Sequence, residues 1–203
     1  MKPRMKDWER ADKLNVELVG YGYNEKRVIV RFHLPKDRDI NRTQLVVAQM
    51  IRDVKHSKNW TCEFCGAPAR ETDVQNLSWQ HLDPPRLVIY CHFVCDMDEQ
   101  HVRRGLTATH QYLNMMNMMS GGGPVAPARN FDAWQRPPDV SYPLGGSCAC
   151  CERDETAKDD ASLKKCSKCK LTRYCGAECQ KKDWPRHKVV CKMVHSVNFE
   201  NWE

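Results

Sequence analysis

Apolar and polar side chains alternate over Val28, Val30, Phe32 and Leu34 before Pro35, a period of two that predicts a strand. Upstream, Trp8, Ala11, Leu14 and Leu18 fall at helical spacing, with Gly20 as a stop, and predict a helix. Asn41 is a candidate cap for a second helix carrying Leu45, Ala48, Ile51 and Val54 on one face and running into Trp60-Thr61-Cys62. A strand pair follows around residues 74 to 82 and 86 to 91, joined through Asp83-Pro84-Pro85. From Asp96 to Met119, Val102, Leu106, Thr109, Leu113 and Met116 repeat every three or four residues, and Gly121 offers a C-terminal stop. Met115, Met116, Met118 and Met119 close that pattern and read as its core-packing face, since methionine fills gaps well.

Periodicity stops after Met119. Residues 120 to 147 hold five of the ten glycines and five of the eleven prolines, the composition of a linker. It divides an N-terminal α+β module, residues 1–119, from a cysteine-rich segment, 148–191, and a tail, 192–203. The fold class expected is α+β, assembled from small modules that metal stabilises.

The cysteines supply that metal chemistry. All 12 lie between Cys62 and Cys191, mostly in pairs with two or three residues between them. Disulfide partners are usually separated by loops, whereas two thiolates of a metal knuckle must converge within about 4 Å, which so short a gap allows. The opening MKPRMKDWERADKL lacks the apolar run of a secretory signal, and no stretch approaches the roughly 18 apolar residues of a membrane span. A reducing intracellular compartment, cytoplasm or nucleus, is therefore expected, with no membrane partner. Metal also changes the charge. A four-cysteine zinc site lowers the net charge by two and a three-cysteine, one-histidine site by one, so with one of each the formal +6 falls to +3.

The C-terminal segment reads C-x2-C-x14-C-x2-C-x5-C-x3-C-x7-H-x3-C from Cys148 to Cys191, eight ligands for two tetrahedral ions with no open position. Cys175 and Cys179, and His187 and Cys191, lie four apart, so each pair can sit on one helical turn, and Pro185 suits the first turn of the second helix. Spacing alone leaves three ways to group the four pairs. Cys150 fits neither ion, though it competes with Cys148 for the outer position. The run C-S-K-C-K-x3-Y-C-x3-C-Q-x2-D-W-x2-H-K-x2-C resembles a MYND-type zinc finger, matching at every ligand and at Tyr174, Gln180, Asp183, Trp184 and Lys188. The resemblance implies interleaved pairs: Cys148, Cys151, Cys175 and Cys179 on one zinc, and Cys166, Cys169, His187 and Cys191 on the other. It also implies a shallow groove for short proline-containing peptides of the P-x-L-x-P type, at Ser167, Gln180 and Trp184. Trp184 has a second reading, as a plug between the helices.

A further knuckle, Cys62-x2-Cys65 before Gly66, pairs with Y-C-H-F-V-C-D at residues 90 to 96. Cys95 is a natural ligand, and its mate is His92 or Cys91. His92 is favoured because Cys91 extends the apolar run Leu87 to Tyr90. The site, Cys62, Cys65, His92 and Cys95, would be a zinc ribbon holding a third ion. A ribbon beside such a finger resembles fungal MYND-finger proteins that bring no activity with them. His33, His56, His81, His101, His110 and His195 have no ligand spacing and read as ordinary.

Closed zinc sites leave no place for a catalytic water, and neither the H-x-E of zinc deaminases nor the signatures of SET methyltransferases are seen, so the chain is expected not to be an enzyme. The leading expectation is an adaptor or regulatory protein that docks a protein partner through the finger. The alternative is a nucleic-acid-binding protein, since the finger carries Lys164, Lys165, Lys168, Lys170, Arg173, Lys181, Lys182, Arg186 and Lys188.

Overall fold

A computed structural model of the chain describes residues 13–35, 40–79, 82–122, 130–133, 135–158 and 162–202. Its centre is a five-stranded sheet. Strand β1, Lys13–Tyr21, pairs antiparallel with β2, Arg27–Pro35, and parallel with β4, Arg86–Val94; β3, Glu71–Trp79, pairs antiparallel with β4. The fifth strand, β7, Val194–Glu200, pairs antiparallel with β2, which gives the order β3-β4-β1-β2-β7. Residues expected as a tail are thus part of the sheet.

The expected first helix is β1. Leu14, Val16 and Leu18 satisfy a period of two as well as a helical one, and the central position of β1 also buries Val19 and Gly20, which blurs the alternation. Trp8 and Ala11, cited for that helix, lie outside the described residues. The pattern in β2 holds, with Val28, Val30, Phe32 and Leu34 buried.

One face of the sheet presents Leu14, Val16 and Leu18, the four apolar residues of β2, and Ile89, Cys91 and Phe93 to a single core. Helix α1, Ile40–Lys55, covers it with Val46, Met50 and Val54. The expected stripe is rotated: Leu45 is 57% exposed, and Asn41 lies inside the helix rather than capping it. Helix α2, Gln100–Met119, packs on the opposite face, where Val102 and Leu106 join Cys62, Val94, Met97 and Phe131. The methionines do not pack there. Asp73 Oδ2 lies 2.5 Å from His110 Nε2 and Gln75 bonds Asn114, so polar residues take the inward positions and leave Met118 and Met119 74% and 76% exposed.

The segment expected as a linker is fastened to the rest of the protein at several points. Phe131 packs edge-on against His110, Arg136 pairs with Glu71 and Asp96, and Arg70 donates to the carbonyl of Tyr142. Gly145 and Gly146 donate backbone bonds to Ala69 and Lys55. Gly146 has φ +87°, and a Cβ there would stand 2.5 Å from the Lys58 carbonyl, so glycine is required where the chain enters its last third.

That last third comprises α3, Asp154–Lys158, a two-residue ribbon of β5, Lys164–Lys165, and β6, Arg173–Tyr174, and α4, Ala177–Cys191. Its Leu163, Leu171, Tyr174 and Val190 belong to the same apolar cluster as the sheet and α1. Among the described residues no helix is long and apolar enough to cross a membrane.

Candidate metal centres and the surface they carry

Four thiolates around one zinc at about 2.3 Å stand about 3.8 Å from one another, which is the measure of a usable cluster. Among the described residues three clusters meet it, each with all four ligand atoms within 4.8 Å of one another. The first gathers Cys148, Cys151, Cys175 and Cys179; the second gathers Cys166, Cys169, His187 and Cys191. In the second, Cys166 Sγ lies 3.9 Å from Cys191 Sγ, and Cys169 Sγ 3.7 Å from His187 Nε2. Cys150 stands outside all three groups, half-buried.

Local structure aims these side chains. The knuckle at Cys166 is closed by the Lys170 amide on the Cys166 carbonyl. Burial alone would raise the Cys166 thiol, but amides of Cys169 and Lys168 and the ring of His187 bring it down to about 7. Cys151 likewise falls to about 7, where the Arg153 amide and side chain outweigh burial. A thiol so placed gives up its proton to a metal readily. Instead of two short helices, α4 is continuous through Pro185, which keeps Cys179, Asp183, His187 and Cys191 four residues apart on one stripe.

The second cluster is fully buried and framed by ions. Tyr174 donates to Asp183 Oδ2 at 2.8 Å, and Arg186 donates to both oxygens of Asp183. Arg186 also reaches Asp53 of α1 at 2.7 Å. Arg173 is buried too: its guanidinium donates to Asn59 Oδ1 and the carbonyl of Gly146, both at 2.9 Å, and burial pushes its pKa down to about 10. Of the basic residues counted toward nucleic acid, Arg173 is therefore buried and Arg186 is half-buried and held in ion pairs with Asp53 and Asp183.

The third cluster is Cys62, Cys65, Cys95 and His101, and it corrects the expected ligand set. His92 is not among the four. Its Nδ1 lies 2.8 Å from Glu63, its ring stacks on Tyr21, and its buried Nε2 finds no partner. Cys91 is excluded by the pleat: it points with Ile89 and Phe93 into the main core, where burial pushes its thiol far up. Only Cys95, just past the strand, and His101, in the first turn of α2, turn toward the knuckle, with Cys95 Sγ 3.7 Å from Cys65 Sγ and 3.6 Å from His101 Nε2. Gly66 at φ +77° closes that knuckle, its amide on the Cys62 carbonyl at 2.9 Å. The signal missed was a histidine just inside a predicted helix, where a first-turn side chain can face back past the N-terminus.

On the solvent side of α4, Ala177, Gln180, Lys181 and Trp184 line a shallow hollow of about 290 Å³. Trp184 is 40% exposed, so it is not a plug between helices. Ser167 is exposed but does not line the hollow.

The family model described as the MYND finger matches residues 148–191. Among curated proteins, the chain is 47% identical over 58 residues to N-lysine methyltransferase SMYD2-A of Danio rerio, covering 29% of this chain and 12% of that protein. It is 36% identical over 74 residues to histone-lysine N-methyltransferase SMYD3 of Homo sapiens, covering 36% and 17%. It is 53% identical over 38 residues to SET domain-containing protein 14 of Caenorhabditis elegans, covering 19% and 9%. The chain thus spans less than a fifth of the length of these relatives. No solved structure matches it. The expectation that the chain is not an enzyme is overturned by these names, which are those of lysine methyltransferases and a SET domain protein. What the sequence, the cysteine clusters and the comparison agree on is the C-terminal segment: residues 148–191 are a MYND finger, a zinc-binding protein-interaction module.

Proposed function

We propose that the chain works as an adaptor that docks a short proline-containing peptide at the hollow of α4, on a surface held in shape by zinc. Cys148, Cys151, Cys175 and Cys179 hold one ion, Cys166, Cys169, His187 and Cys191 a second, and Cys62, Cys65, Cys95 and His101 a third. The observation that carries the docking reading is the half-exposed indole of Trp184 beside Gln180. A proline-rich segment is already extended and loses little entropy on a flat aromatic wall, so a small hollow can bind it.

Trp184→Ala is expected to retain every zinc ion, because the indole is no ligand, and to lose about 2 kcal/mol of peptide affinity, roughly 30-fold. Titration of a P-x-L-x-P peptide into both proteins, with bound zinc measured in each, reads the two effects separately. Equal affinity in both would sink the docking site. Tight uptake of an oligonucleotide at physiological salt, with no peptide binding, would bring the nucleic-acid reading forward, against the burial of Arg173 and the ion pairing of Arg186.

For the third ion, His101→Ala is expected to lower zinc from three to two per chain by elemental analysis, whereas His92→Ala keeps three. The reverse would return the fourth position to the strand. The relatives' names favour a second reading, in which the finger serves lysine methylation. Transfer of a labelled methyl group from S-adenosylmethionine to a lysine-containing protein is the observation that would carry it.

A further inference from the structure

We infer that Asp53, which lies on α1 outside the finger, is a positioning residue for the second zinc site. The inference rests on the ligand assignment proposed for that site and extends it to the other half of the chain. Asp53 is 1% exposed, and its Oδ2 lies 2.6 Å from Nδ1 of the buried His187, 134 residues away. A histidine can ligate through Nε2 only if the proton sits on Nδ1, and a carboxylate on Nδ1 fixes both that tautomer and the plane of the ring. His187 Nε2 is then the free nitrogen, the one that stands 3.7 Å from Cys169 Sγ in the cluster.

The carboxylate is held in turn. Asp53 Oδ1 accepts from Arg186 at 2.7 Å, and Arg186 also grips Asp183, which accepts the Tyr174 hydroxyl. A buried carboxylate without such a partner would cost several kcal/mol, so the guanidinium makes the placement tolerable. Asp53 therefore reaches the metal through His187 and is anchored by the residue beside it. The second zinc site is completed by α1, which the finger's own sequence does not contain.

The test uses the full chain. Zinc transfer to a chromogenic chelator is followed in wild type, Asp53→Ala and Asp53→Asn, after elemental analysis of each. In Asp53→Ala one equivalent of zinc is expected to leave about 10 to 100 times faster, with the others at the wild-type rate. Asp53→Asn should restore most of the lost retention, because its amide oxygen still accepts the Nδ1 proton although the pairing with Arg186 is lost. In cobalt-substituted protein, Asp53→Ala should shift the absorption bands of one of the two three-sulfur, one-nitrogen ions, the shift persisting in a His101→Ala background, and leave those of the four-sulfur ion alone. Unchanged release in Asp53→Ala, equal acceleration of all ions, or an Asp53→Asn protein no better than Asp53→Ala would each overturn the assignment. A wild-type finger with only one ion would instead remove the ligand set on which it rests.

Discussion

Stripping the zinc with a strong chelator is expected to unfold residues 148–191 and to disturb the sheet beneath them. Structural zinc contributes on the order of 10 to 16 kcal/mol per small site, against about 5 to 15 kcal/mol for the whole stability of a typical domain. Apart from α4, the described residues of the finger form two strands of two residues and a helix of five, too little to persist without metal. The effect should not stop at Cys191. Leu163, Leu171, Tyr174 and Val190 share one core with Phe32, Val54, Trp60 and Phe93, so an unfolded finger would expose the apolar face of the sheet. Far-UV circular dichroism should therefore lose strand as well as helix signal, near-UV signal from tryptophan should collapse, and peptide binding should vanish, all restored by added zinc. A zinc-free protein that keeps its near-UV spectrum would refute this.

Trp60→Ala is expected to cost about 3 to 5 kcal/mol, a large share of the total. Trp60 is 2% exposed; its ring stacks on Phe93 at 4.2 Å and meets Trp202 edge-on at 4.9 Å, and its indole N–H donates to the Val54 carbonyl at 2.9 Å. One side chain thus joins the end of α1, strand β4 and Trp202, two residues beyond β7. Alanine would leave a cavity where three elements meet, while the Val54 carbonyl would keep its bonds from the Ser57 hydroxyl and amide. Urea unfolding at fixed zinc measures the loss as a lower midpoint with an unchanged slope, and a loss below about 1 kcal/mol would contradict the role.

Both expectations depend on contacts that local sequence pattern does not carry. The finger's candidate ligands were legible because a metal site calls for short, fixed spacings in the chain, and their interleaved grouping came with the family resemblance. In β2 a simple period of two was enough, and the strand pair expected around residues 74 to 82 and 86 to 91 corresponds to β3, Glu71–Trp79, and β4, Arg86–Val94, with shifted ends. Periodicity failed in β1, where burial on both faces removes the alternation, and in α2, where His110, Asn114 and Asn117 face inward and the methionines face out. The strand prediction was sound around Cys91, yet the fourth member of the third cluster lay one element further on, at His101, where no pair spacing marks it. Asp53 was invisible for the same reason: an acidic residue in an amphipathic helix reads as solvated unless its distant partners are known. The solvated lysines of the finger gave a misleading basic signal, because two of its arginines are structural.

The pairing of β7 with β2 bears on the order in which the protein can be made. Arg27 meets Glu200 across 173 residues, so when β1 and β2 leave the ribosome the outer edge of β2 has no neighbour, and it stays open until the whole finger has been synthesised. During that interval a row of unpaired amides and carbonyls flanked by Val28, Val30 and Phe32 is a template for another chain. A nascent chain that meets scarce zinc is delayed at this stage, because β7 follows directly on Cys191 and cannot be delivered to the edge until α4 is anchored. Zinc supply would then govern how much of the protein escapes aggregation at birth, quite apart from how stable it is once complete.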